Sequence, residues 1–402
     1  MHQGDFTCMD TINYLKEISR KCSWYPPAET KIPIPLLFSS LVPFKADFVK
    51  ELCKYFGVDQ CVCAESGRAL LTLVLQALSK RDGMQRDEVL IPGYTCYSVA
   101  ASVVRAGLKI RLYDINPVTF HPDLDSAKSG ANEKTLAIVA QHLFGIPSPV
   151  DGLKDLAKGV GAYVIEDAAQ ALGGSFKGCK LGTMGDFGFY SFGRGKPLPL
   201  GCGGTLIGKD KGVMSDIILP ENGMGYIQFL ITAFIQIFSH KNFYGLMEAL
   251  PLGLGETIFD PEFAISSMPL IMERLGRRAI DSLESLNTHR RTIAGIYADM
   301  FDHQGTIPVS EGAYPIHTRF PIMVGLSTLP GRLLRFGIRR MYPKALADEP
   351  PIRKFITGGT ARTPGSSMIA ERLITLPTHT GISTDLAKTI ALQIKGEFKL
   401  LS

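Results

Sequence analysis

The sequence has little that would mark a secreted, metal-bound or nucleic-acid-binding chain. Its eight cysteines, at positions 8, 22, 53, 61, 63, 96, 179 and 202, include no C-x-x-C pair and no histidine at zinc spacing. A finger-type metal site and a disulfide framework are therefore excluded in favour of reduced thiols, and no metal is expected. Charge of one sign is also scarce: the net charge of +5 is spread along the chain and leaves no footprint for nucleic acid. No G-x-G-x-x-G follows a candidate strand, so a dinucleotide fold lacks its phosphate turn. The first 21 residues carry Asp5, Asp10, Lys16, Glu17 and Arg20 with no apolar core, unlike a secretory leader, so a cytoplasmic location is expected. No internal repeat or low-complexity tract is visible. At 402 residues, 45% hydrophobic and 20% charged, the chain has the length and composition of a two-domain globular protein.

What is present alternates between strand and helix patterns. After a proline-rich lead-in over residues 22–44, a helix is expected from Ala46 to Phe56. Short apolar strands follow before Ala64, at Val89 to Ile91, from Lys109 to Tyr113 and from Leu136 to Ala140, with a helix opening at Ser66-Gly67-Arg68 and another over Ser98 to Ala106. This order implies a mostly parallel sheet covered by helices on both faces. Residues 268–300 predict one long helix whose arginines, Arg274, Arg277, Arg278, Arg290 and Arg291, form a solvated face. A strand over Thr318 to Val324 and helices over Leu329 to Arg340 and Asp385 to Phe398 complete the pattern.

The stretch from Ala162 to Gly208 carries the chemistry. Tyr163-Val164-Ile165 reads as a buried parallel strand ending in Glu166-Asp167, which sets Asp167 at a carboxyl end, where α/β sheets hold ligands. A hairpin over Gly174 to Gly185 leads to a second strand, Phe187 to Phe192, that delivers Ser191. Beyond the tight turn Gly193-Arg194-Gly195 stands Lys196, and Pro197, Pro199 and Gly201 to Gly204 prevent a helix. A P-loop is ruled out because Pro197 follows the lysine and Tyr190 occupies the place of the first motif glycine. A carboxylate, the nearby Gln170 and a lysine on a glycine turn suit pyridoxal 5'-phosphate: the amine bonds the aldehyde, and the carboxylate keeps the pyridine nitrogen protonated. The free N–H groups at the Ser66-Gly67 helix start can hold a phosphate.

Taken together, Val164 to Ala171, Gly185 to Lys196 and Gly201 to Gly204 resemble the DegT-type sugar aminotransferases, a branch of the fold-type-I pyridoxal phosphate enzymes. The resemblance runs from about Phe56 to Gln393 and includes Tyr342-Pro343 and Glu371 to His379. It implies a fold-type-I α/β architecture: a large domain over residues 46–260 and a smaller α+β domain over 261–402, after a lead-in over 1–45. It implies Lys196 and Asp167 as catalytic residues, Gln170 against the cofactor ring or its 3-hydroxyl, and Ser191 with Ser66 and Gly67 on the phosphate. Arg68 stands where the family has threonine and adds a charge for the phosphate. Cys96 stands where a ring stacks on the cofactor, and Tyr94 or Tyr97 can supply that ring instead. Ile265 replaces an asparagine that reaches the partner subunit, and Ala347 replaces a histidine. His142 reads equally as structural or as lining the site.

The resemblance further implies a homodimer that moves an amino group, from glutamate, to a keto carbon of a nucleotide-linked sugar for amino-sugar and polysaccharide assembly. The related sugar dehydratases carry histidine in place of the lysine, so Lys196 argues against them, and a cofactor-binding or regulatory relative without turnover is the alternative from another class. One segment stands apart: residues 224–257 look like an apolar insertion. Tyr226 to Phe238 reads as a helix with a narrow polar stripe, Gln228, Thr232, Gln236 and His240. Its 13 residues fall short of the roughly 18 to 20 needed to span a bilayer. Burial in the core or against a dimer partner is the expectation, with contact at a membrane surface as the alternative.

Overall fold

The aliphatic runs fold as buried strands because their two faces are both covered, which leaves no place for polar alternation. The computed structural model describes residues 23–28, 32–44, 47–249, 258–325, 328–358 and 362–401. Helix α1 (Ile34–Ser39) and α2 (Phe48–Phe56) precede β1 (Cys61–Ala64), α3 (Gly67–Arg81), β2 (Glu88–Pro92), α4 (Tyr97–Arg105), β3 (Lys109–Tyr113), β4 (Thr135–Gln141) and β5 (Tyr163–Asp167). The short β6 (Ser175–Phe176) and β7 (Cys179–Lys180) form the hairpin before β8 (Phe187–Ser191) and β9 (Gly204–Gly208). The expected start of α2 at Ala46 lies outside the described residues.

Seven strands make the central sheet in the order β1-β9-β8-β5-β4-β2-β3, and only β9 runs against its neighbours. The carboxyl ends of β4, β5 and β8 therefore meet at one edge. The register sets Gln141 beside Asp167 and Asp167 beside Phe189, two residues before Ser191. Helix α3 begins against that edge: a Cβ on Gly67 would stand 3.3 Å from the Ser191 Cβ, so the close approach depends on glycine. Ser66 caps the helix by accepting the Ala69 amide at 3.3 Å.

Further along come α5 (Tyr226–Phe238), α6 (Tyr244–Ala249), α7 (Leu270–Ala279), α8 (Leu283–Met300), β10 (Ala313–Tyr314), β11 (Arg319–Met323), β12 (Leu373–Pro377) and α9 (Thr384–Glu397). Strands β11 and β12 pair antiparallel, and a second core gathers there, with Tyr297 of α8 and Phe320 of β11 5.4 Å apart. Strand β10 adds to the hairpin beside β6.

Three expectations fail here. The helix over 268–300 breaks into α7 and α8 at a 3-10 turn, Ile280–Ser282, where the Ser282 hydroxyl donates back to the Ala279 carbonyl at 2.6 Å. Its arginines are not all solvated, since Arg274 and Arg290 are buried at 8% and 2% exposure. The helix expected over Leu329 to Arg340 shrinks to Gly331–Leu334, because Gly337 takes φ +76° where a Cβ would stand 2.6 Å from the Pro26 carbonyl.

His379 ties the lead-in to this second core: its Nε2 donates to the Pro26 carbonyl at 2.9 Å and its Nδ1 accepts the Gly381 amide at 3.1 Å, which fixes a neutral ring. Burial pushes its pKa from the ordinary 6.5 down to about 3, and burial pushes His317 down to about 4. The unfolded chain then binds protons that the folded chain refuses, so stability rises with pH across this window. Acidification from pH 6.5 towards 4 should cost on the order of 1 kcal/mol per pH unit for each imidazole. Denaturant titrations over that range check this, and a flat profile contradicts it.

Candidate active site

A cavity of about 300 Å³ opens at the carboxyl edge of the sheet. Its walls include Asp167 and Gln170 from the end of β5, Ser191 from β8, Lys196 from the following turn, and Ser66, Gly67 and Arg68 from the start of α3. Cys96 also faces it, beside Ser98, whose hydroxyl lies 3.0 Å from the Cys96 sulfur. Lys196, Asp167, Gln170, Ser191, Ser66, Gly67, Arg68 and Cys96, all singled out in the sequence, thus converge on one space. Tyr97 does not: its ring is buried, and its hydroxyl donates to Lys344 carbonyl or Glu349 carboxylate, each at 3.2 Å. Tyr94 is buried as well, its hydroxyl accepting the Tyr342 amide at 3.4 Å. The rings that do line the cavity are His142, Phe189 and Tyr342.

Asp167 accepts the Ala169 amide at 3.0 Å through Oδ1. Desolvation raises its pKa, with the charge of Lys196 opposing the rise. Lys196 is fixed by its backbone. Its amide donates to Gly193 at 3.2 Å, Gly195 sits at φ +72°, and Gly193 bridges Gly201 across the turn. From α8, Arg290 Nη2 reaches the Lys196 carbonyl at 3.4 Å, while its Nη1 donates to Asn287 Oδ1 at 2.6 Å. Asn287 in turn donates to the Leu172 carbonyl at 3.0 Å. Burial lowers the Arg290 pKa to about 10, which leaves it charged at neutral pH.

Gln170 is committed to the protein on both ends of its amide: Oε1 accepts the Phe144 amide at 3.0 Å and the Thr318 hydroxyl at 3.3 Å, and Nε2 donates to the Tyr342 hydroxyl at 3.1 Å. His142 fills both readings offered for it. It lines the cavity, and it is a buried structural ring whose Nδ1 accepts the Ser148 amide at 3.1 Å, leaving Nε2 to donate to Glu166 at 2.8 Å. Glu166 lies on the opposite face of β5 and also accepts the Gly182 and Gly185 amides at 2.8 and 2.5 Å. Burial raises its pKa, and these partners outweigh that and hold it low.

Arg68, which lines the cavity, stacks its guanidinium over the Phe263 ring at 4.5 Å. Gln141 and Tyr342 are site residues to which sequence reasoning gave no role. Both sat in stretches already matched, yet no charge or spacing set them apart. Ile265 packs on the main core, and Ala347 is half-buried against it.

The raised Asp167 pKa gives a sign that can be checked. An acid whose folded pKa exceeds its unfolded value costs stability once pH passes the ordinary carboxylate range, and costs nothing below it. Asp167→Asn should therefore raise the melting temperature of the cofactor-free protein at neutral pH, with the gain vanishing under acid conditions. Equal melting at both pH values would contradict the geometry.

Residues 38–237 match the family model for the DegT/DnrJ/EryC1/StrS aminotransferases. The chain is 37% identical over 163 residues to the L-glutamine:2-deoxy-scyllo-inosose aminotransferase of Streptomyces kanamyceticus, covering 40% of this chain and 38% of that protein. It is 36% identical over 169 residues to a pleiotropic regulatory protein of Geobacillus stearothermophilus, covering 41% and 45%. The chain thus spans less than half the length of either relative. A crystal structure of a DegT DnrJ EryC1 StrS aminotransferase from Brucella abortus superimposes with a TM-score of 0.67 at 20% identity, over 98% of this chain and 99% of that one, which shows a shared fold. The match to the DegT/DnrJ/EryC1/StrS aminotransferase family thus covers residues 38–237, just under half of the chain, and the fold around those residues is shared with the Brucella protein.

Proposed function

We propose that this protein is a pyridoxal phosphate-dependent aminotransferase that moves an amino group, from glutamate, to a keto carbon of a nucleotide-linked sugar. The observation that carries the reading is the convergence, in one cavity, of a lysine on a clamped turn, a desolvated carboxylate and a helix start flanked by a serine and an arginine. These three features fit the three ends of the cofactor. The helix start of α3 with Ser191 and Arg68 suits a phosphate. Asp167 suits a protonated ring nitrogen, because a cation there relieves the desolvation that raises its pKa. Lys196 suits the aldehyde.

When bound, the pyridine ring supplies the electron sink for breaking a bond at the substrate carbon. The chain's own residues do the rest. Asp167 holds the proton on the ring nitrogen, Lys196 Nζ carries a proton between the substrate carbon and the cofactor carbon, and Gln170 and His142 wall the space against water. Glutamate, the sugar class and the homodimer come from the family resemblance alone. One relative named as a regulatory protein supports a second reading, a cofactor-binding chain without turnover.

Absorbance of the loaded protein decides between the two. Glutamate should remove the visible band of the lysine-bound cofactor, and a nucleotide keto-sugar should restore it; a band indifferent to every donor supports the second reading. Lys196→Ala should lose the band and lower turnover by at least about 10² to 10⁴. Asp167→Asn should keep the fold and depress turnover sharply, and near-normal activity would remove Asp167 from the chemistry.

A further inference from the structure

Helix α5 is turned the opposite way from an ordinary surface helix. Its polar stripe faces the protein: Gln236 Oε1 accepts the Ile32 amide at 3.2 Å, and the buried Thr232 sets its hydroxyl 3.5 Å from the Leu200 carbonyl. Its outward face is made of Tyr226, Ile227, Leu230, Ile231, Phe234 and Ile237, exposed by 43% to 70%. Of the expected burial in the core or against a dimer partner, the first fails for this outward face, because backbone groups of the lead-in and of the Leu200 turn take the polar stripe inward. The apolar surface continues on both sides. Phe38 of α1 meets Phe229 edge-on at 5.6 Å, and Phe243 before α6 lies 6.2 Å from Phe238.

Two properties select what covers this face. The first is charge: across residues 32–44 and 222–247 Lys241 is the one formally charged residue, and none is Asp or Glu. The second is hydrogen bonding. A protein interface carries about one hydrogen bond per 100–200 Å², yet the six outward side chains offer a single polar group, the Tyr226 hydroxyl at the edge. Lipid acyl chains require no such partners. An interfacial helix ordinarily needs its own basic face because water lies behind it; here the protein lies behind it, so an uncharged stripe suffices.

We propose that this face docks into the headgroup and upper acyl region of a phospholipid bilayer, with α5 lying flat in the surface. A flat helix agrees with its length, about 20 Å at 1.5 Å per residue, and no helix among the described residues is long and apolar enough to cross a membrane. Tyr226 at one end, and Lys241 with Phe243 at the other, stand where interfacial anchors belong. The proposal is independent of what the active site does.

Flotation of the cofactor-loaded full chain with vesicles of phosphatidylethanolamine and phosphatidylglycerol tests it. The wild-type protein should rise with the vesicles. The double variant Leu230→Ser, Ile231→Ser should bind at least about tenfold less, with its oligomeric state by light scattering and its visible absorbance unchanged. A native reporter gives a second measurement. Trp24, the single tryptophan, donates its amide to the Lys241 carbonyl at 3.0 Å, and its ring lies 3.1 Å from where a Cβ on Gly245 would stand. Vesicles with brominated acyl chains should quench its fluorescence in the wild type. A wild-type protein that stays unbound, or a variant that floats equally, overturns the proposal. A variant that separates into smaller oligomers also overturns it and assigns the face to a second copy. If the double variant does not fold, the wild-type quenching decides alone, and its absence overturns the proposal.

Discussion

The register of β5 is the constraint on which the site depends. A carboxylate follows a carboxylate at the end of this strand, and side chains alternate faces, so a slip of one residue would exchange Glu166 and Asp167 between the cavity and the hairpin. The hairpin side blocks that slip. Glu166 is fully buried with three donors around it, His142 and the amides of Gly182 and Gly185, and an ionised group with that many partners cannot leave without stranding all of them. Glycine is what lets those amides approach. A Cβ at Gly182 would stand 2.2 Å from the Tyr190 hydroxyl, and one at Gly188 would stand 1.9 Å from the Gly182 carbonyl. The residue with no part in the proposed chemistry thus fixes the one that has a part.

A second constraint acts on the lysine from far along the chain. Lys196 stands on a glycine turn, which by itself would leave its backbone loosely specified. Arg290, nearly a hundred positions later, reaches its carbonyl, and Asn287 ties the same arginine to Leu172 at the end of the β5 loop. The lysine and the aspartate are therefore braced by one buried network on α8. Burying an arginine is costly unless its hydrogen bonds are met, so this network also locates the junction between the sheet and the segment beyond α7.

Most of the central strands were legible because parallel strands buried on both faces read as unbroken aliphatic runs, as in Thr135–Gln141. The stretch that lines the cavity was legible because its residue types are individually unusual at strand ends. What failed to read were features decided by tertiary partners. Arg290 looked like part of a solvated face, since nothing local distinguishes an arginine that finds a carbonyl a hundred residues away. Tyr97 looked like a ring for the cofactor, and only its distant partners, Lys344 and Glu349, show that it is engaged elsewhere. The break at Ile280–Ser282 depends on one hydroxyl bonding back to its own turn, a choice that helix periodicity does not record.

Helix α5 shows the limit of periodicity most plainly. A stripe of polar residues on an apolar helix states that two faces differ, and it leaves open which face meets the protein. Here the decision came from backbone groups: the Ile32 amide and the Leu200 carbonyl both lie beneath the helix, and Gln236 and Thr232 are the side chains that can meet them. The same contact joins the helix to the site, because a Cβ on Gly201, in the turn that follows Lys196, would stand 2.2 Å from the Thr232 hydroxyl. One side of α5 thus forms backing for the lysine turn while the other presents bare hydrocarbon. Whatever covers that hydrocarbon rests on the same helix whose Thr232 packs on Gly201 in the turn after Lys196, which ties the protein's surroundings to its chemistry more closely than a separate anchor on a linker would.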